Sequence, residues 1–314
     1  MMCINKCIVE ENIFHYVATK KRGNMKNILF ALFCLMFVCT NNAQVKNPNL
    51  NAMISTEYSF ASTAAEIGTR DAFLKFVADD GIIFRPNAVN GKTFLGNAPK
   101  RPGLLSWYPT FAGISRDGDM GFTTGPADFK KDKDSSAIWF GNFSTVWQRQ
   151  ANGEFKFVID MGNSNSKPTE YYVPLKYEMI DSNSSILRKG VKRIKSDELF
   201  NNDKALTMII SKMGVAPTYK KFINEESRLL RDDFYPIVGT SAIMDYFTKN
   251  SGTYTFNPIG GKISFSKDIG FTYGALTISD ADNNNGKYNY MHIWKKEGKR
   301  WIIIIDVANK LETK

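Results

Sequence analysis

The stretch "GDMGFTTG" (residues 118–125) recurs far downstream as "KDIGFTYG" (residues 267–274), aligned without a gap. Asp119, Gly121, Phe122, Thr123 and Gly125 fall on Asp268, Gly270, Phe271, Thr272 and Gly274, an offset of 149 residues. The match extends in both directions. "VWQRQANGEFKFVID" (146–160) aligns with "IWKKEGKRWIIIID" (293–306) once one residue is removed from the turn. Upstream, "GTRDAFLKFV" (68–77) aligns with "GVAPTYKKFI" (214–223). Three matches in one order and one register identify a duplication, and a period this long means two globular domains instead of a solenoid.

Each copy reads as helices followed by strands. Ile54, Tyr58, Ala61 and Ala65 recur at helical spacing, and Gly68 and Gly214 stand where a left-handed C-cap costs least. A second helix is expected from Thr69, burying Phe73, Phe76 and Val77, with Asp79-Asp80 and Glu225-Glu226 closing the second helix of each copy. The run Ile82-Ile83-Phe84 and the alternation of Phe155, Phe157 and Ile159 with Lys156 and Val158 read as strands. Asn152-Gly153 and Glu297-Gly298 mark one shared late turn, and Asn285-Gly286 is a further hairpin signal. This order predicts an α+β class: two tandem cone-shaped domains, each with helices packed on a curved antiparallel sheet. The first domain is expected over residues 50–162, a linker over 163–196 and the second domain over 197–310.

The N-terminal end has its own logic. Residues 25–43, "MKNILFALFCLMFVCTNNA", combine a basic start, an apolar run and a small-residue exit, the layout of a secretory signal peptide. Residues 1–24 then read as a non-native extension, since Met25 opens a complete signal. The protein is expected to be exported, to the periplasm or the extracellular space, with no membrane span after cleavage. All four cysteines (Cys3, Cys7, Cys34, Cys39) precede the cleavage point, so the mature chain has no disulfide, no thiolate zinc ligand and no cysteine nucleophile. Residues 1–43 take five of the 41 basic and two of the 31 acidic residues with them, leaving a mature balance of +7. The one dense basic run, "RKGVKRIK" (188–195), falls in the linker and reads as a solvated segment, or as an adhesive one; no nucleic-acid partner is expected.

The segments "AFLKFVADDGIIFRP", "SWYP", "DGDMGFTTG" and "VWQRQANGEFKFVIDMG" resemble the nuclear transport factor 2-like (SnoaL-like) superfamily, in particular its secreted bacterial branch of unknown function. The resemblance covers residues 50–162 and, more weakly, 197–310. It implies the cone-shaped fold; it does not imply one reaction, because the fold hosts isomerases, dehydratases, hydrolases and binding modules. Ketosteroid isomerase chemistry needs a carboxylate base before the proline after the first strand, a helix-one tyrosine and a late-strand acid. Here the base position holds Arg85, with Arg231 in the second copy. The tyrosine position falls near Phe60 or Ala61. The late-strand acid falls on Thr145 in the first copy and on His292 in the second.

Candidate pocket residues follow from these positions. Glu57 and Asp203 match on helix one and are expected to face Arg85 and Arg231 across the cone as ion pairs. Trp107, Tyr108, Trp139, Phe143 and Trp147 could line an apolar cavity or form core. Asp160 and Asp306 suggest a cap or salt bridge common to both copies. His292 is the sole histidine of the mature chain, so a His-based triad or His-rich metal site has no second member. With Tyr288, Tyr290 and Trp294 it gives one strand face a Tyr-x-Tyr-x-His-x-Trp pattern suited to holding a ring. No metal and no cofactor is expected. Two functional readings remain: a non-catalytic small-ligand-binding or structural module taking an apolar or acidic ligand, and a lyase, isomerase or hydrolase acting in the second domain's pocket. The two domains are expected to pair as an intramolecular pseudo-dimer, leaving the chain monomeric.

Overall fold

The computed structural model describes residues 47–168, 173–177, 197–280 and 285–311. Residues 1–46, where the extension and the signal peptide are expected, and the basic run 188–195 lie outside the described residues.

The first domain opens with α1 (Pro48–Ile67) and α2 (Thr69–Phe76), then β1 (Val77–Phe84), β2 (Ala88–Asn90), a short α3 (Gly91–Asn97), β3 (Leu104–Trp107), β4 (Phe111–Ile114), β5 (Met120–Lys130), β6 (Trp139–Arg149) and β7 (Phe155–Asn165). A short β8 (Lys176–Tyr177) returns from the linker to run parallel to β4. The second domain repeats the order with α4 (Asp197–Met213), α5 (Val215–Tyr219), β9 (Arg228–Arg231), β10 (Ile237–Val238), α6 (Thr240–Lys249), β11 (Thr253–Ile263), β12 (Ile269–Ser279), β13 (Asn285–Glu297) and β14 (Arg300–Lys310). The architecture is α+β, two tandem domains with helices packed on a curved sheet. The sheets are mixed, not purely antiparallel, because β1 runs parallel to β7 and β9 parallel to β14.

Local chemistry explains the element ends. Asn47 caps α1 by accepting from the Asn49 and Leu50 N–H groups, with Pro48 at the first helical position. Gly68 and Gly214 adopt φ of 91° and 82° between paired helices, a region closed to most side chains. The buried face of α1 is Leu50, Met53, Ile54, Glu57, Phe60 and Ala64. That is a rotation from the stripe expected in sequence: Tyr58 and Ala65 are exposed, while a carboxylate turns inward. Asp79 and Asp80 lie in β1, not at a helix end, and Glu225 and Glu226 lie in the turn before β9. Asn285-Gly286 opens β13, paired with Ile278 and Ser279, so it is strand and not the hairpin turn. The third helices, α3 and α6, go beyond the two helices per copy expected from the sequence; a cap by Asn90 holds α3, and the i, i+4 pair Ile243 and Phe247 buries one face of α6.

The repeated motif explains how the halves join. Phe122 and Phe271 both enter a core shared by the two sheets, with Phe111, Met120, Val146, Val158 and Met161 from one domain and Leu230, Ile269, Met291, Ile293, Ile304, Ile305 and Val307 from the other. Full burial of such a side chain contributes about 1.5–3 kcal/mol, so the shared core makes the pair one cooperative body. Asp119 accepts from Ser115 Oγ in its own turn (2.8 Å) and from the Phe265 N–H of the other domain (3.1 Å). Asp268 repeats this, accepting from Ser264 Oγ (3.0 Å) and from the Arg116 N–H across the interface (2.9 Å). Gly125 and Gly274 let a neighbouring strand approach: a Cβ there would lie 2.1 Å from the Tyr108 carbonyl oxygen and 2.0 Å from that of Asn257. The sequence is spelled twice because each copy braces the other.

Candidate functional site

In the first domain α1 delivers Glu57 to the centre of the cone, with no solvent exposure. Trp107 Nε1 donates to its Oε1 at 2.6 Å, and Thr123 Oγ1 and Trp147 Nε1 donate to its Oε2 at 2.5 and 3.0 Å. Burial pushes its carboxyl up to about 7, against the lowering effect of those three donors. Phe60, stacked on Phe157 and edge-on to Phe73, Trp107 and Trp147, seals the group from water. Arg85 does not pair with Glu57. It is exposed, and its Nη1 donates to the Phe84 carbonyl. The sequence expectation fails because three neutral donors already satisfy Glu57, so no cation need be drawn inside. Asp160 accepts from Thr145 Oγ1 at 2.6 Å, and burial raises it to about 6.

The second domain solves the same positions with charges. Arg231 forms a bidentate pair with Asp306, Nη1 to Oδ1 at 2.9 Å and Nη2 to Oδ2 at 2.8 Å, and also donates to the Leu230 and Asp306 carbonyls. Tyr219 donates its hydroxyl to Asp306 Oδ2 at 2.6 Å. His292 lies between two carboxylates, its Nδ1 2.7 Å from Asp203 Oδ1 and its Nε2 3.6 Å from Asp306 Oδ1. Tyr290 donates to Asp203 Oδ2 at 2.9 Å. Burial alone would lower the imidazole, but Asp306 and Asp203 outweigh it and raise it to about 9, so His292 is a cation at neutral pH. Burial likewise opposes ionisation of Asp306, yet Arg231 and His292 hold it well below the usual carboxylate range. Asp203 therefore faces His292, and Arg231 faces Asp306. The expected Asp203–Arg231 pair is replaced by a four-member network of two carboxylates and two cations.

The structure thus gathers Asp203, Arg231, Tyr290 and His292 into one buried cluster, with Trp294 bonded alongside to Thr272. Glu57, Trp107 and Trp147 form a separate buried cluster, and Thr145 belongs with Asp160. None of these residues lines the cavities of about 950, 410 and 400 Å³ found among the described residues. Of the sequence candidates, Arg85 lines the largest and Tyr108 the smallest.

The largest of these three cavities opens in the first domain between α3, β3 and the loop 98–103. Its apolar wall includes Val89, Phe94, Leu95, Leu105 and Phe129, and its charged wall is Arg70, Arg85 and Arg101; among the described residues no acidic one lines it. Arg70 is bound by Asp71, which also holds Lys100. Sequence reading missed Arg70 and Arg101. The one trace of them is the loop "NAPKRPG" (97–103), whose basic, proline- and glycine-bearing composition is that of a surface loop.

No protein-family model matches the chain, and no curated protein matches it by sequence. Solved structures do. The likeness is to NTF2-like proteins. One, an NTF2-like protein of unknown function from Shewanella oneidensis, is 15% identical, with 36% of this chain and 98% of that one covered and a TM-score of 0.32. A ketosteroid isomerase-like protein from Erwinia carotovora is 11% identical over 37% of this chain and 96% of its own, with a TM-score of 0.29. An NTF2-like protein from Cytophaga hutchinsonii is 8% identical over 38% and 100%, with a TM-score of 0.31. Each spans about the length of one repeat.

Proposed function

We propose that the protein is an exported binding module whose open site is the first-domain cavity, and whose second domain is its structural partner. The observation that carries this reading is the cavity of about 950 Å³ with an apolar wall, Arg85 and Arg101 beside an Arg70 already held by Asp71, and no carboxylate among its described lining residues. Such a lining favours a small amphipathic anion, an apolar body ending in a carboxylate or similar group, held by guanidinium forks. Catalysis as a lyase, isomerase or hydrolase in the second domain is the weaker reading. His292 Nδ1 is committed to Asp203, its Nε2 lies 3.6 Å from Asp306 Oδ1, and none of the three residues lines any of the three cavities described. The proposal of export rests on the residue pattern of 25–43.

Calorimetric titration of the protein with decanoate and with the neutral isostere decanol tests the binding reading. Decanoate should bind more tightly, and the preference should shrink in Arg85→Gln/Arg101→Gln while decanol binding is unchanged. Equal binding of both ligands to the unaltered protein, or no saturable binding of either, would overturn it.

A further inference from the structure

The two domains make reciprocal contacts through Asp119 and Asp268, and one of the places where the match between the copies breaks lies at their interface. In the second domain Asn289 Nδ2 donates across the interface to the Pro86 carbonyl at 2.7 Å and to Asn309 Oδ1 at 3.2 Å. The equivalent residues in the first domain are Asn142 and Asn163, directly opposed on β6 and β7. Asn142 Nδ2 and Asn163 Oδ1 are both buried, and neither has a hydrogen-bond partner among the described residues. The position matching Pro86 is Asp232, whose carboxylate is committed to the Ser164 and Lys310 N–H groups.

Where that contact is missing there is a cavity of about 400 Å³ between the domains, and Asn142 is part of its wall. Pro126, Phe140 and Leu230 make the interior apolar. Its rim includes Val173, Tyr235 and Val238, exposed at 51%, 45% and 44%, three of the large hydrophobic side chains the protein leaves in water. The cations there are occupied: Lys176 pairs with Glu226, and Arg228 stacks on Phe111 and donates to the Glu226 carbonyl. No carboxylate lines the space among the described residues. A buried amide donor without an acceptor costs free energy that a ligand acceptor would recover.

We infer that this interdomain cavity is a second binding site, for a neutral, mainly apolar molecule of about one ring that carries a carbonyl acceptor for Asn142. The volume lies within the usual range of small-molecule sites, about 300–1,000 Å³. The site differs in chemistry from the arginine-walled cavity of the first domain, and either could exist without the other.

Benzamide and ethylbenzene, which share one ring and differ in the carbonyl-bearing substituent, are the probes, with affinities measured by ligand-observed NMR on the purified protein. Benzamide should bind about tenfold more tightly than ethylbenzene, the effect of one satisfied buried donor. Val238→Trp, at an exposed rim position, should weaken benzamide about tenfold or more by filling the mouth. Asn142→Leu should abolish the preference over ethylbenzene, and Arg101→Gln should leave benzamide binding unchanged. Absence of saturable benzamide binding, indifference to Val238→Trp, or loss on Arg101→Gln would each overturn the inference. Should Asn142→Leu fail to fold, the rim variant and the probe pair decide.

Discussion

Arg85 and Arg231 occupy equivalent places in the two repeats, yet their removal should have very unequal consequences. Arg231 is 3% exposed and directs four hydrogen bonds to Asp306 and the Leu230 carbonyl. Arg231→Met keeps the aliphatic volume but leaves Asp306 with Tyr219 and the more distant His292. Stranding one member of a buried pair costs about 3–5 kcal/mol. For a chain of this size each kcal/mol lowers Tm by about 2–4 °C, so the expected loss is roughly 6–20 °C. Arg85→Met removes an exposed side chain bonded to one local carbonyl, and should change stability by no more than about 0.5 kcal/mol. Urea unfolding followed by tryptophan fluorescence measures both. The double variant Arg231→Met/Asp306→Asn should recover part of the loss, because the stranded charge is gone while Tyr219 keeps an acceptor. Equal effects of the two arginine changes, or additive losses in the Arg231/Asp306 cycle, would refute the reasoning.

The remaining expectations share that assay. Arg85→Met and Glu57→Gln should be additive within about 0.5 kcal/mol, since the residues do not meet. The folded-state carboxyl of Glu57, at about 7 against an ordinary 4.5, keeps a proton that the unfolded chain releases, so stability should fall as pH rises from 4.5 to 7. His292, at about 9 against 6.5, contributes fully below pH 6.5 and loses that contribution as pH rises through 9. Each group is worth about 3 kcal/mol at most by linkage, and Glu57→Gln should remove the share of Glu57 from the first window, leave the part below pH 6 that Asp160 contributes, and not touch the second. Lys267 holds a φ of 55° where the first copy has Gly118, so Lys267→Gly should stabilise the turn by up to about 1 kcal/mol in urea midpoints. The shared core predicts one unfolding transition by fluorescence and by far-UV circular dichroism, and a monomer by light scattering. Two separated transitions or a stable dimer would contradict it.

The duplication, the two-domain plan and the helix-then-strand order were legible in the residues themselves. Repeated Gly, Phe and Trp at a constant offset record backbone demands that every copy of the fold must meet, and periodicity reports which residues turn inward. Part of the buried polar set was legible too: Glu57, Asp203, Arg231 and His292 lie inside their domain, while Arg85, expected there with them, is exposed. Their partners were not. Pairing depends on distances across a cone that sequence spacing does not encode, and a carboxylate satisfied by two indoles and a hydroxyl has no need of the arginine that the alignment offers it. The cavities were also invisible, because they lie where elements fail to meet: along the loop after α3, and at an interface where Asn142 lacks the acceptor that its twin Asn289 finds in Pro86. A sequence lists the groups that must be satisfied; the tertiary arrangement decides which of them satisfy one another and which are left facing an empty space.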